Sequence, residues 1–382
     1  MNDIRVLCGG VVGRLLSLSL ASAAVLACET SPTSSGSTDG ATEGSDSDVS
    51  FASDTTEADD DTAEGGTEAS DSDTSGSVDG DASVPDTSTV DPDGPPAPKA
   101  YTGGTCPTFK VGKQSFVSSD LEREVVVTLP EDPTGAGVLF LWHGFGDTHT
   151  EFSSALGAKS ISGSENLITV APQAVIDPVS SEKLAPYKDV AAQFFGPLPP
   201  TWSVLDGPEP DISLFDDLLS CLAAQYDVDL KRVYTLGFSQ GALFSTRLVL
   251  LRSDVLAGAA LWSGGLGSSG GLLELVRFEY ESPKRKVPVL AVAGGATDLW
   301  PNDQLPLVNF QTGTTELAEA LRTDGHAVVE CNHGLGHTIP SDGLQWGLPF
   351  LFGHEWTRDG ASTYFGADGK AFPKYCTMPA AQ

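Results

Sequence analysis

The chain has 382 residues, of which 52 are acidic and 21 basic, so its formal net charge is −31. An acidic chain without a basic cluster excludes nucleic acid as a partner, because binding to phosphates requires clustered Lys and Arg. The length is sufficient for one sizeable globular domain in addition to polar segments.

Residues 1–28 are predicted to be an export signal that ends in a lipidation site. Arg5 and Arg14 precede an apolar run, Leu15 to Ala27, which is too short to span a bilayer and has small residues near its end. The ending "VLAC" resembles a bacterial lipoprotein lipobox, which implies that Cys28 is lipidated and anchors an exported protein to a membrane of the cell envelope. An ordinary cleaved signal with an incidental cysteine is the alternative.

Residues 29–99 are predicted to form a disordered acidic tether. From residue 29 to residue 98 the chain holds 19 acidic and no basic residues, among mostly Ser, Thr, Gly, Ala and Pro. Such a segment buries too little apolar surface to offset its ordering entropy, and its charges repel one another. We expect a solvated spacer rather than an acidic ligand-binding tail, followed by a catalytic domain over residues 100–382.

The remaining chain alternates β-rich runs with helical patterns. The predicted strands are 122–129, 137–143, 166–172, 232–237, 257–263, 286–294 and 326–332, and the predicted helices are 211–226, 240–253, 314–325 and 341–356. Because the later strands are continuously apolar, we expect them to be buried on both faces. The pattern therefore predicts an α/β fold with a mostly parallel, doubly wound sheet and helices on both faces.

Four unusual loops follow predicted strands: "HGFGDT", "GFSQG", "GGATDLWPND" and "CNHGLGHTIP". In an open parallel sheet, ligands bind beyond the carboxyl ends of the strands. The four loops are therefore predicted to form one site.

The loop "GFSQG" fits the nucleophile elbow G-x-S-x-G. Gly237 and Gly241 would relieve crowding where a strand turns sharply into a helix, which leaves Ser239 strained and exposed. "GSSGG", with Ser269 at its centre, also fits, but flexible residues separate it from the preceding strand. We prefer Ser239 as nucleophile; a structural serine in a turn is the alternative.

A serine nucleophile needs a base, and a third group that orients the base. In the elbow fold the chain order is Ser, acid, His. We prefer His337 to His333 in the loop "CNHGLGH", because two glycines give the loop freedom to bring the imidazole toward the sheet. Asp298 stands where a strand should end, and we prefer it to Asp303.

A zinc site at Cys331, His333 and His337 is an alternative reading of the same loop. The spacing would suit a helix, but Gly334 and Gly336 do not favour one, and no fourth ligand is nearby. We expect neither a metal nor another cofactor.

The oxyanion formed during acyl transfer needs two donors. The backbone N–H of Gln240, which follows the nucleophile, is one candidate, and that of Phe145 in "HGFGD" is the other. His143 is expected to brace this loop rather than to act chemically.

Together, "HGFGDT", "VYTLGFSQGA", "GGATDLWP" and "GHTIP" resemble the α/β-hydrolase esterases, most of all the polyhydroxybutyrate depolymerase and feruloyl/acetylxylan esterase group. "HGFGDT" and "GFSQG" are equally similar to the phospholipase/carboxylesterase and acyl-thioesterase branch. The resemblance covers nearly all of residues 105–356. It implies an α/β-hydrolase fold with Ser239, Asp298 and His337 as catalytic residues and Phe145 and Gln240 as oxyanion donors. The acid loop lacks the His-Gly or Gly-Thr lead-in that is usual in these families.

Aromatic residues are candidates for substrate binding. Phe195 and Trp202 lie in a long insertion before the helix that precedes the nucleophile, and with Trp300 they are expected either to form an acyl or sugar platform or to cover the sheet edge. Display on a lipid anchor suits a large extracellular substrate, so we expect hydrolysis of esters such as acyl decorations of polysaccharide or polyester oligomers. A thioesterase or phospholipase-type carboxylesterase, a serine peptidase and a non-catalytic surface-binding lipoprotein are the alternatives.

Four cysteines remain once Cys8 and Cys28 are assigned to the signal and the anchor. An even set in an exported protein predicts two disulfides. Of the three possible pairings of Cys106, Cys221, Cys331 and Cys376, we favour the one that joins Cys331 to Cys376, because the chain after the last helix can fold back on that edge.

Overall fold

The computed structural model describes residues 93–176, 181–182, 185, 189, 199–204, 209–267, 276–301, 306–362 and 372–378. The predicted signal, Cys28 and most of the tether lie outside these residues, as do Phe195, Ser269 and Asp303. The described part of the chain contains no helix with the length and hydropathy of a bilayer span.

A mixed sheet organises the domain, and it has nine strands among the described residues. In chain order the strands are β1 (Gly112–Ser118), β2 (Leu121–Thr128), β3 (Gly137–Trp142), β4 (Leu167–Pro172), β5 (Val233–Phe238), β6 (Gly258–Trp262), β7 (Val289–Ala293), β10 (Val328–Asn332) and β11 (Cys376–Thr377). Their spatial order is β1-β2-β4-β3-β5-β6-β7-β10-β11. The six strands from β4 to β10 in this order run parallel, and β1, β2 and β11 pair antiparallel at the two edges.

Helices cover both faces of the sheet. They are α1 (His149–Ala155), α2 (Ala158–Glu165), α3 (Pro210–Tyr226), α4 (Gln240–Leu251), α5 (Phe310–Thr323) and α6 (Gly343–Phe352). Side chains alternate along β3, so Phe140 belongs to a core shared with α3, α4 and α5, whereas Leu141 belongs to a second core shared with α1, α2 and α6. The predicted doubly wound sheet is confirmed.

Two short strands form a separate antiparallel pair beside the main sheet. These are β8 (Leu299–Pro301) and β9 (Pro306–Asn309). β9 leads directly into α5, which begins four residues before its predicted start because Asn309 caps it and accepts a hydrogen bond from the backbone N–H of Thr312. β8 lies within the predicted acid loop "GGATDLWPND", directly after Asp298.

Disulfides join distant parts of the chain at two places. Cys331 on β10 is bonded to Cys376 on β11, which is its register partner, as the sequence favoured. The other disulfide, Cys106–Cys221, fastens the start of the domain to α3. Lys99, at the end of the predicted tether, lies 2.6 Å from Asp216 on the same helix.

Candidate active site

Ser239 occupies the sharp turn between β5 and α4. Its φ of 56° and ψ of −123° are unfavourable for a residue with a side chain, and its N–H donates to the carbonyl oxygen of Trp262 at 2.9 Å. A Cβ on Gly237 would stand 2.2 Å from the carbonyl oxygen of Gly241, so the turn closes only with glycine at this position. The local sequence therefore folds into a nucleophile elbow, with the serine at the carboxyl end of β5.

Three side chains that are distant in sequence form a hydrogen-bonded relay at this edge. His337 Nε2 lies 2.9 Å from Ser239 Oγ, and His337 Nδ1 lies 2.7 Å from Asp298 Oδ1. Because the carboxylate accepts the Nδ1–H, the Nε2 lone pair faces the serine hydroxyl. This arrangement can remove a proton from Ser239 and return it to a leaving group.

Two further donors hold the carboxylate of Asp298, which is fully buried. Its Oδ2 accepts the Gly294 N–H at 2.7 Å and the Ser263 hydroxyl at 2.9 Å. A buried carboxylate needs such partners, because a buried polar group without hydrogen bonds costs free energy. We did not predict the role of Ser263 from the sequence, although its position as the last residue of the predicted strand 257–263 pointed to the same sheet edge.

The histidine loop reaches the serine through glycines in the left-handed region. Gly334 and Gly336 have φ of 72° and 78°, and Gly336 N–H donates to the Gly294 carbonyl at 2.8 Å. The ring of Phe310 stacks on His337 with 4.5 Å between the ring centroids. These contacts fix the imidazole between the acid loop and the elbow.

His333 does not join this relay. Its Nδ1 accepts the N–H of Leu335, and its ring faces Tyr375. Cys331 is held in a disulfide, so it offers no thiolate for the zinc alternative. The structure thus brings His337, rather than His333, to Ser239.

The loop after β3 lies directly beside the nucleophile. A Cβ on Gly144 would stand 3.5 Å from the Cβ of Ser239. The His143 ring donates from Nδ1 to the Gly144 carbonyl at 2.8 Å, and its Nε2 accepts the Ala174 N–H at 3.1 Å. Because the Gly144 carbonyl shares a planar trans peptide with the Phe145 N–H, fixing the oxygen aims this N–H in the opposite direction. His143 therefore has the bracing position that the sequence predicted.

Burial keeps the His143 ring neutral. It lowers the pKa of His143 from 6.5 to about 4. A protonated ring would place an N–H against the Ala174 N–H, whereas the neutral ring accepts that bond. The tautomer that supports the Gly144–Phe145 peptide is therefore the stable one at neutral pH.

The aromatic candidates differ in their surroundings. Trp202 is fully buried and stacks on Phe244, so the prediction of a substrate platform at Trp202 is corrected to a packing position inside the core. Trp300 on β8 is partly exposed, and its ring meets Phe145 edge-on with 5.2 Å between centroids. Trp300 therefore stays a candidate for contact with substrate, whereas Phe195 lies outside the described residues.

Solved structures share this architecture. No protein-family model matches the chain, and no curated protein matches it in sequence. Native sOPH is 18% identical with a TM-score of 0.54, over 73% of this chain and 96% of that chain. Native pOPH is 18% identical with a TM-score of 0.52, over 72% and 98%. A phospholipase/carboxylesterase from Dyadobacter fermentans is 18% identical with a TM-score of 0.39, over 60% and 95%. The chain has an α/β-hydrolase fold.

Proposed function

We propose that this chain is an exported serine esterase that hydrolyses carboxylic esters through an acyl-enzyme on Ser239. The observation that carries the proposal is the relay from Ser239 Oγ through His337 to the buried Asp298, with 2.9 and 2.7 Å between donor and acceptor atoms. A hydroxyl that can lose its proton in this way is the requirement for nucleophilic attack on an acyl carbon.

Acylation begins with attack of Ser239 Oγ on the ester carbonyl carbon. The hydroxyl proton passes to His337 Nε2, and Asp298 stabilises the imidazolium. The backbone N–H groups of Phe145 and Gln240 donate to the oxyanion. When the tetrahedral intermediate collapses, the C–O bond of the ester breaks and His337 returns the proton to the departing alkoxide, which leaves as an alcohol.

Deacylation uses the same groups with water as nucleophile. His337 takes a proton from water, the hydroxide attacks the acyl carbon, and the bond to Ser239 Oγ breaks as the serine regains a proton. The products are a carboxylic acid and the free enzyme. The reaction needs no cofactor.

We further propose that the substrate is an extracellular ester, such as acyl decorations of polysaccharide or polyester oligomers. The predicted signal and tether, with Cys28 as a lipid anchor, would display the enzyme outside the cytoplasm. Two disulfides are in keeping with an oxidising compartment. Mass spectrometry of the mature N-terminus tests the anchor: diacylglycerol on Cys28 supports it, and an unmodified cleaved end refutes it.

Hydrolysis of chromogenic acetate and butyrate esters tests the proposed activity. Ser239→Ala should lower kcat at least about 10³-fold, because nucleophile and base act as a unit. Ser162→Ala is the matched control, since Ser162 is a buried serine on α2 whose loss should leave the rate unchanged. Equal hydrolysis by wild type and Ser239→Ala contradicts the acyl-enzyme on Ser239. Hydrolysis by neither contradicts the esterase function and favours a non-catalytic binding protein.

A substrate panel distinguishes the related activities. Feruloyl, acetyl-xylan, hydroxybutyrate, thioester and peptide substrates differ in acyl group or leaving group, but each has a carbonyl carbon that Ser239 can attack. We expect the highest kcat/KM on one of the three oxygen esters. Preference for the thioester or the peptide would assign the chain to the thioesterase or peptidase alternative.

A further inference from the structure

Trp202 contacts both halves of the proposed oxyanion hole. Its indole Nε1–H donates to the carbonyl oxygen of His143 at 2.8 Å, two residues before Phe145. Its backbone N–H donates to the side-chain Oε1 of Gln240 at 3.3 Å. One buried residue therefore joins the loop that carries one donor to the helix start that carries the other.

The carbonyl of His143 lies between the indole of Trp202 and the first turn of α4. A Cβ on Gly241 would stand 2.6 Å from it, so the first turn of α4 already limits its position on one side. The next carbonyl, that of Gly144, is held by the His143 ring. Trp202 thus fixes the first of two consecutive peptide groups whose orientations together set the direction of the Phe145 N–H.

The chain segment that carries the indole is also held in place. The neighbouring Ser203 N–H donates to Asp211 Oδ2, and Asp211 pairs with Arg123 on β2 at 2.6 Å. Both charged side chains are almost completely buried, with 1% exposure for Arg123 and none for Asp211. A buried ion pair of this kind resists displacement, because separating the two charges would leave each of them buried and unpaired. The short segment that carries Trp202 is therefore anchored to β2 and α3.

We propose that Trp202 is a positioning residue that aligns the Phe145 and Gln240 N–H groups into one oxyanion hole. The proposal rests on the proposed esterase function for its kinetic consequence. The hydrogen bond from Trp202 to the His143 carbonyl positions the Phe145 N–H, which stabilises the oxyanion of the transition state more than it stabilises the bound ester. Loss of this bond should therefore lower kcat and leave KM nearly unchanged.

Trp202→Phe tests the proposal, because it keeps an aromatic ring and removes the indole N–H donor together with part of the ring volume, a loss that the control shares. The matched control is Trp356→Phe. Trp356 is also a buried tryptophan, and its Nε1–H donates to the backbone carbonyl of Asp254 at 2.7 Å, outside the proposed site. Both variants lose one bond of the same kind, so their losses of stability should be similar. Only Trp202→Phe should lower kcat on acetate and butyrate esters, by about 10-fold, which is less than the loss of a whole oxyanion donor.

Hydrogen exchange gives a second measurement that needs no substrate. In Trp202→Phe the amides of residues 144–147 should exchange about 10-fold faster than in wild type, whereas in Trp356→Phe they should not change. An inactive wild type with this selective exchange supports the alignment by Trp202 and rejects the esterase function. An active wild type in which the two variants agree in kcat and in exchange overturns the role of Trp202.

Discussion

Gly241, at the start of α4, lies directly against the end of β3: a Cβ on this glycine would stand 2.0 Å from the carbonyl oxygen of Trp142. The helix that follows Ser239 therefore approaches the neighbouring strand as closely as two backbones allow. This contact sets the distance between the nucleophile and the loop that carries Phe145. The second glycine of the elbow is thus required by packing between elements as well as by the turn.

Gly241→Ala should disturb both the fold and the proposed reaction. The added methyl group has no space, so α4 must shift, at a cost of roughly 1–3 kcal/mol in the free energy of unfolding. A displacement of about 1 Å at the nucleophile should lower kcat about 10²-fold. Urea denaturation and ester hydrolysis measure the two effects.

Gly163→Ala is the control for this substitution. Gly163 lies within α2, and apart from its chain neighbours and the backbone of its own helix no atom stands within 4 Å of its hypothetical Cβ. Alanine should raise stability by up to about 1 kcal/mol and leave kcat unchanged. A wild-type kcat in Gly241→Ala would show that the close contact with Trp142 does not position Ser239.

Ser263→Ala should impair the proposed acid without removing it. Asp298 Oδ2 loses one of its two donors, and the carboxylate then orients His337 less firmly. We expect kcat to fall about 10-fold, because the imidazole reaches its productive orientation less often. Steady-state kinetics on a butyrate ester provides the measurement.

Ser118→Ala separates catalysis from stability in this comparison. The Ser118 hydroxyl also donates to a buried carboxylate, that of Asp217, at 2.6 Å and on a different part of the domain. The Ser118→Ala variant should lose about 1–3 kcal/mol in the free energy of unfolding, a loss similar to that of Ser263→Ala, and should keep the wild-type kcat. Equal kcat values for the two alanine variants would remove Ser263 from the site.

Acid should destabilise the fold through buried neutral histidines. Burial lowers the pKa of both His143 and His354 from 6.5 to about 4. Between these values the unfolded chain binds a proton that the folded chain does not, so stability falls as the pH drops from 6.5 through 4. For each histidine the loss between pH 7 and pH 5 is about 2 kcal/mol.

His354→Gln tests this origin of the pH dependence outside the proposed site. The difference in unfolding free energy between pH 7 and pH 5 should shrink by about 2 kcal/mol, whatever the substitution costs at pH 7. Urea titrations of wild type and variant at both pH values provide the comparison. An unchanged difference would mean that His354 is not held neutral in the folded protein.

The sheet and the three residues of the relay could be predicted from the sequence because short stretches of residues indicate them. The run of β3 is apolar at every position, and the glycines around Ser239 mark a turn that other residues cannot make. The loops after β7 and β10 carry Asp298 and His337 to the same edge of the parallel sheet. The expectation of a parallel sheet and the chemistry of its loops therefore sufficed to place three distant residues at one edge.

Other features depend on tertiary contacts and gave no local signal. β1 contains mostly polar residues and pairs only with β2 at the sheet edge. The helix α1 is short: it spans residues 149–155, and Thr148 caps its start. The bond from Trp202 to the carbonyl of His143 joins residues 59 positions apart. The sequence shows an aromatic residue at position 202, but only the fold distinguishes a buried clamp from an exposed platform.

The most direct measurement of the central claim is peptide mass spectrometry after reaction with a fluorophosphonate, which modifies activated serines. We predict a single phosphonyl adduct on the peptide that contains Ser239, and no adduct in Ser239→Ala under the same conditions. An adduct on another serine, or an unmodified Ser239 in a preparation that hydrolyses esters, would contradict the assignment of Ser239 as the nucleophile.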